Sequence, residues 1–135
     1  MAGLVPNASE VTLLKYMLGV ETPNNQIIKL FVNDVTPTDT DVAGSYTEMS
    51  THGYANKTLT KTSWAVATES NIAKGEYAQQ TWTFTAATAV VVYGYFIVDS
   101  STGLLLCSER FTDPKTVQFN GDQIIITPKI TLSKV

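Results

Sequence analysis

The spacing of apolar residues changes period along the chain. Val11, Leu14, Met17 and Leu18 recur at helical spacing with Glu10 and Lys15 between them, which predicts one short helix over about residues 8–18. Asn7 and Glu10 have the spacing of a capping box, with Asn in place of the preferred Ser or Thr, and Gly19 is placed to end the helix. A helix this short is marginal in water, so its apolar stripe must dock on the domain's own core or on a partner. From Gln26 onward the period shortens. Gln26–Val32 and Trp64–Thr68 read as strands, and Tyr77–Thr85 alternates, with Gln80, Trp82 and Phe84 on one face and Thr81, Thr83 and Thr85 on the other. Trp82 and Phe84 are therefore expected to point inward. Val90–Val98 is apolar on both faces, as in the central strand of a sandwich or a strand at an oligomer interface, and Gly94 inside it signals a bulge or a close backbone approach.

Turn signals divide the remainder. Asp99–Gly103 has hairpin chemistry and leads into Leu104–Phe111. Asn120-Gly121 predicts a type I′ hairpin joining Thr116–Phe119 to Gln123–Thr127, because that turn needs positive φ at both central residues. Lys129–Val135, entered through Pro128, alternates apolar with polar and suits an edge, or pairing with another subunit. The polar stretch from Pro37 to Gly53 is the longest loop and the first candidate for an exposed contact surface, with Tyr46 and Tyr54 in or beside it as surface tyrosines. Seven to nine short strands at close spacing predict an all-β fold, an antiparallel sandwich of jelly-roll-like kind with one short N-terminal α-helix. Residues 1–20 then form an N-terminal arm and amphipathic helix, and residues 21–135 a single β-sandwich domain.

Composition narrows the function classes. Hydrophobic residues make up 44% and charged residues 16% of 135 positions, with a net charge of −3, which excludes a disordered tail and argues against a nucleic-acid surface. The one cysteine, Cys107, allows no intrachain disulfide and suits a buried thiol in a chain matured in a reducing cytoplasm. Met1–Pro6 lacks a basic start and a continuous apolar run, and no stretch approaches the ~18 apolar residues of a spanning helix, so neither secretion nor membrane insertion is expected. The sequons Asn7-Ala8-Ser9 and Asn56-Lys57-Thr58 therefore read as chance matches. His52 is the only histidine, and with Cys107 it lacks the signature of a nucleophilic pair. Asp39-Thr40-Asp41 lacks the glycine and terminal Glu of a calcium loop, zinc spacing is absent, and the eight glycines form no phosphate-binding loop. No catalytic residue, metal or cofactor is expected, and the chain does not read as an enzyme. The candidates for partner contact are Val11, Leu14, Met17 and Leu18 on the helix, with Tyr46 and Tyr54.

A further pattern runs from Gly53-Tyr54-Ala55-Asn56-Lys57 through Trp64 and Tyr93–Asp99 to Gly103-Leu104-Leu105 and Glu109-Arg110-Phe111. These strand landmarks, over about residues 50–132, resemble small β-rich virion proteins of tailed bacteriophages, of the capsid decoration or cement type. The resemblance implies a non-enzymatic virion protein, assembled in the host cytoplasm, that binds the major capsid protein and stabilises the shell. It also implies a homo-oligomer, with a trimer favoured. The alternative is a tail-associated receptor-binding module that contacts host glycan through Tyr46, Tyr54 and the long loop.

Overall fold

The computed structural model describes residues 3–132. The last three residues of the expected strand Lys129–Val135, and Met1 and Ala2 of the expected arm, lie outside that range. The described chain runs α1 (Asn7–Met17), β1 (Gln26–Phe31), β2 (Lys57–Leu59), β3 (Ala65–Glu69), β4 (Ile72–Glu76), β5 (Gln80–Thr83), β6 (Val90–Asp99), β7 (Leu105–Val117), β8 (Gln123–Ile126) and β9 (Lys129–Leu132). The strands form antiparallel sheets ordered β2-β1-β6-β7, β3-β4-β9 and β5-β8. This is the expected all-β, sandwich-like fold with one N-terminal helix. Its sheets hold four, three and two strands, so it is not divided into the two four-stranded sheets of a regular jelly roll.

The main core lies between one face of the four-stranded sheet and β5–β8. Ile28, Leu30, Leu59, Tyr95, Ile97 and Cys107 meet Trp82, Ile124 and Ile126, with Phe84, Val92 and Val117 completing the cluster. Trp82 and Phe84 point inward as their alternation requires, 4% and 1% exposed. β6 is central, paired with β1 on one side and β7 on the other. Its register with β7 shifts between Val92 and Gly94, so Val92 and Tyr95 face the same core although they are three residues apart. Gly94 also permits the close approach its position suggested, since a Cβ there would stand 2.7 Å from the Phe31 ring and inside contact distance of the Glu109 carbonyl oxygen.

The second face of the four-stranded sheet is covered by the chain itself. Phe31, Phe96, Val98 and Leu105 pack beneath Tyr46, whose ring stacks on Phe96 at 5.1 Å and tilts against Phe31 at 4.9 Å. The polar stretch expected to be an exposed contact loop keeps Thr38–Thr40, Val42 and Thr47 exposed, but it sends Tyr46, 6% exposed, onto this face as a lid and Met49, 2% exposed, into the main core. Its anchors are backbone bonds from Val32 N to Thr47 O and from Met49 N to Leu30 O.

Two turns depart from expectation. Asn120-Gly121 turns the chain, with Asp122 N donating to Phe119 O and φ positive at Gly121 (92°) but not at Asn120. The flanking segments do not form a hairpin, because β8 pairs with β5. A two-residue hairpin with positive φ at both centres instead joins β3 to β4 through Ser70 (51°) and Asn71 (63°).

Candidate functional site

The N-terminal segment ties two sheets together before it becomes helix. Gly3 N donates to Lys129 O at 2.8 Å on β9, and Leu4 exchanges hydrogen bonds with Ser108 of β7 at 2.7 and 3.0 Å. Gly3 suits this place because a Cβ would lie 3.0 Å from Cys107 Sγ. Buried Pro6 then occupies the N-cap. The expected Asn7–Glu10 capping box does not form: the helix starts one residue earlier than that box needs, and no side chain caps it. Ser9, fully buried, bonds through Oγ to Pro6 O at 2.9 Å and reaches Leu106 O at 3.4 Å, pinning α1 onto β7. Gly19 ends the helix at φ 72°, as expected.

α1 turns Ser9, Thr12 and Tyr16 toward the body, which is not the stripe read from the sequence, and Leu13 beside them stays 38% exposed. Tyr16 crosses to the hairpin after β6, where its hydroxyl donates to Asp99 Oδ2 at 3.0 Å. Burial comes first in raising the Tyr16 pKa, and with the Asp99 bond it brings it to about 12. Asp99 is 3% exposed. Burial alone would raise its pKa, yet hydrogen bonds from Thr102 N, Ser101 N, Asn24 and Tyr16 outweigh it and hold the carboxyl below its ordinary value. Asp99 thus fixes α1, the hairpin and the segment before β1 in one arrangement.

Pinned in this way, α1 has a cleft on each flank. One, of about 530 Å³, has a mixed polar and apolar lining and lies between Thr12, Lys15 and Tyr16 of the helix, Glu21 and Asn24, and the loops at Val42–Gly44 and Thr102–Leu104. The other, of about 310 Å³, is an apolar groove between Leu13 and Tyr16 and the sheet β3-β4-β9, lined by Val66, Ala73, Gly75, Ile130 and Leu132. Register places these five sheet residues on one face. The opposite face carries a ladder of charges, with Lys74 Nζ 3.1 Å from Glu69 and 3.6 Å from Glu76, and Lys129 Nζ 3.4 Å from Glu69.

The predicted contact residues divide sharply. Val11, Leu14, Met17 and Leu18 are 61%, 54%, 73% and 70% exposed, and Val20 beyond them is 69% exposed. A run of this kind exceeds the scattered single exposures of an ordinary surface. Tyr46 is not a surface residue, since its hydroxyl bonds to Asp41 and Ser108 while its ring closes the second core. Tyr54 is half-buried against the main core, its hydroxyl accepting from Leu30 N and bonding to Glu48, both at 3.1 Å. Burial dominates the upward pKa shift of both tyrosines. The long loop thus does not offer the Tyr46 ring as an open stacking platform, while Tyr54 is half-covered.

Elsewhere, Cys107 is fully buried, and burial pushes its thiol pKa upward. His52 is buried in the turn Thr51–Tyr54, its Nδ1 2.7 Å from Thr51 Oγ1. Among the described residues no group of three or more His, Cys, Asp or Glu is placed to hold a metal ion, and no helix is long and apolar enough to cross a membrane. Sequence reasoning missed Ser9, Tyr16, Asp99 and the whole apolar groove. The signal for the groove was present in the small-apolar alternation of Ala65–Thr68 and Ile72–Gly75 around Ser70-Asn71.

The described architecture is that of a β-sandwich whose largest unexplained feature is exposed apolar surface around one helix. A family model described as Podophage GP4 fiber I protein gp80 matches residues 6–133. The chain belongs to this family. It is therefore a phage virion structural protein of fibre type, and the match takes in α1, all nine strands and both clefts. Among curated proteins none matches the chain.

Proposed function

We propose that the chain is a tail-associated fibre subunit that acts by binding other proteins of the particle, without catalysis. The observation that carries this reading is the row Val11, Leu14, Met17, Leu18 and Val20, held outward on a helix that Ser9 and Tyr16 fasten to the fold from its other side. Exposed apolar side chains on a rigid support are what a permanent protein contact requires, since burying them on a partner removes apolar surface from water without ordering new backbone. The fibre family favours the tail over the capsid decoration role implied by the strand landmarks. Tyr46, closed into the second core, gives no support to a host-glycan role.

Location on the particle tests the proposal. Antibodies to the chain, viewed on intact virions by electron microscopy, should label the tail. Uniform labelling of the head lattice would overturn the tail assignment in favour of capsid decoration.

A further inference from the structure

The outward face of α1 has a finer order than its apolar character. Val11, Leu14 and Leu18 are spaced three and then four residues apart, the repeat by which two helices mesh along a seam, with a β-branched residue and then Leu in the order that suits parallel strands. Ser9, Thr12, Leu13 and Tyr16 fall on the opposite side, where Ser9 and Tyr16 are bonded to the body. The seam therefore points away from the fold. Flanking it are Glu10 on one side and Lys15 on the other, five residues apart and of opposite sign. That is the offset at which flanking residues of two parallel helices pair across a seam.

We infer that α1 is a self-association element in which the Val11–Leu14–Leu18 seams of two copies of this chain pack in parallel, with Glu10 of each copy paired to Lys15 of the other. Charge decides the occupant and the direction. A parallel pair sets two opposite-charge contacts across one seam, whereas an antiparallel pair brings Lys15 toward Lys15. Lys15 in the single chain bonds to Glu21 at 2.8 Å with its side chain 42% exposed. Its ammonium has three donors, so a second carboxylate is accommodated without breaking that bond. An isolated helix of eleven residues could not support such a seam, but this one is already held by Pro6, Ser9 and the Tyr16–Asp99 bond, so association need not order it.

The inference rests on α1 as a contact surface and stands apart from the location of the protein on the tail. The test uses the full chain alone in sedimentation equilibrium at rising concentration, with Glu10→Lys, Lys15→Glu and Leu14→Ser, each checked for an unchanged circular dichroism spectrum. The wild type should associate to twice the chain mass. Each charge reversal alone, and Leu14→Ser, should weaken association by about tenfold or more. Mixing the two charge-reversed chains should restore it, because the mixture again pairs opposite signs between copies. The inference is overturned if the wild type stays monomeric into the millimolar range, or if its association ignores all three substitutions. Failure of the mixture to recover also overturns it. A monomeric chain that still labels the tail would remove this inference and leave the fibre reading standing.

Discussion

β6 and α1 both carry more apolar residues than one buried face needs, and the protein treats the surplus differently. On β6, Tyr95 and Ile97 enter the main core while Phe96 and Val98 enter a second one, closed by Tyr46 and the loop that carries it. On α1 the surplus is left bare: Leu14 and Met17 are 54% and 73% exposed while Ser9, a polar residue, is buried. The contrast teaches that apolar spacing reports that something covers a face, not which molecule does so. For β6 the cover is Tyr46, about fifty residues upstream in the same chain, and for α1 the described chain supplies none.

Substitutions on β6 should sharpen the contrast first, because their effects are largest. Gly94→Ala places a methyl group against the Phe31 ring and the Glu109 carbonyl, neither of which can yield without disturbing a sheet pairing. It should destabilise the fold by about 4 kcal/mol, read from the denaturant midpoint. Tyr46→Ala removes the lid from the second core and leaves a cavity over Phe31 and Phe96, for a loss of about 3 kcal/mol in the same assay.

At the junction between the two regions, Asp99→Asn replaces a carboxylate that accepts from Tyr16, Asn24, Ser101 N and Thr102 N with a group that accepts at only one atom. A loss of about 1–2 kcal/mol is expected near neutral pH. The folded pKa of Asp99 is depressed, so its contribution is fully present above the unfolded carboxyl value and disappears as pH falls through the folded value. Thermal midpoints of wild type and Asp99→Asn should therefore draw together as pH is lowered from 5 toward 2. Parallel curves over that window would show that the Asp99 charge is not what joins helix and hairpin.

Much of the sandwich was legible in the residues. Trp82 and Phe84 alternate with threonines, Gly94 interrupts an apolar run, and Asp99–Gly103 carries loop chemistry, and each of these local rules agrees with the tertiary outcome. What was not legible depended on partners remote in sequence. Asn120-Gly121 turned as expected, but pairing of β8 with β5 redirected the strands it joins. Tyr46 lies among polar residues and reads as exposed, yet its burial is dictated by Phe31 and Phe96, which local pattern cannot see. On the helix the existence of an apolar stripe was readable. Its direction was not, because buried Ser9 and half-buried Tyr16 act through hydrogen bonds to Leu106 and Asp99 that no hydrophobic periodicity records.

The smallest expected effect on the fold is also the most decisive. Leu14→Ser, compared with wild type in chemical denaturation at concentrations too dilute for association, should change stability by no more than about 0.5 kcal/mol, while at high concentration the assembled mass falls. A loss of more than about 1 kcal/mol in the dilute chain, with assembly unchanged, would contradict the account by showing that the outward face of α1 serves its own fold.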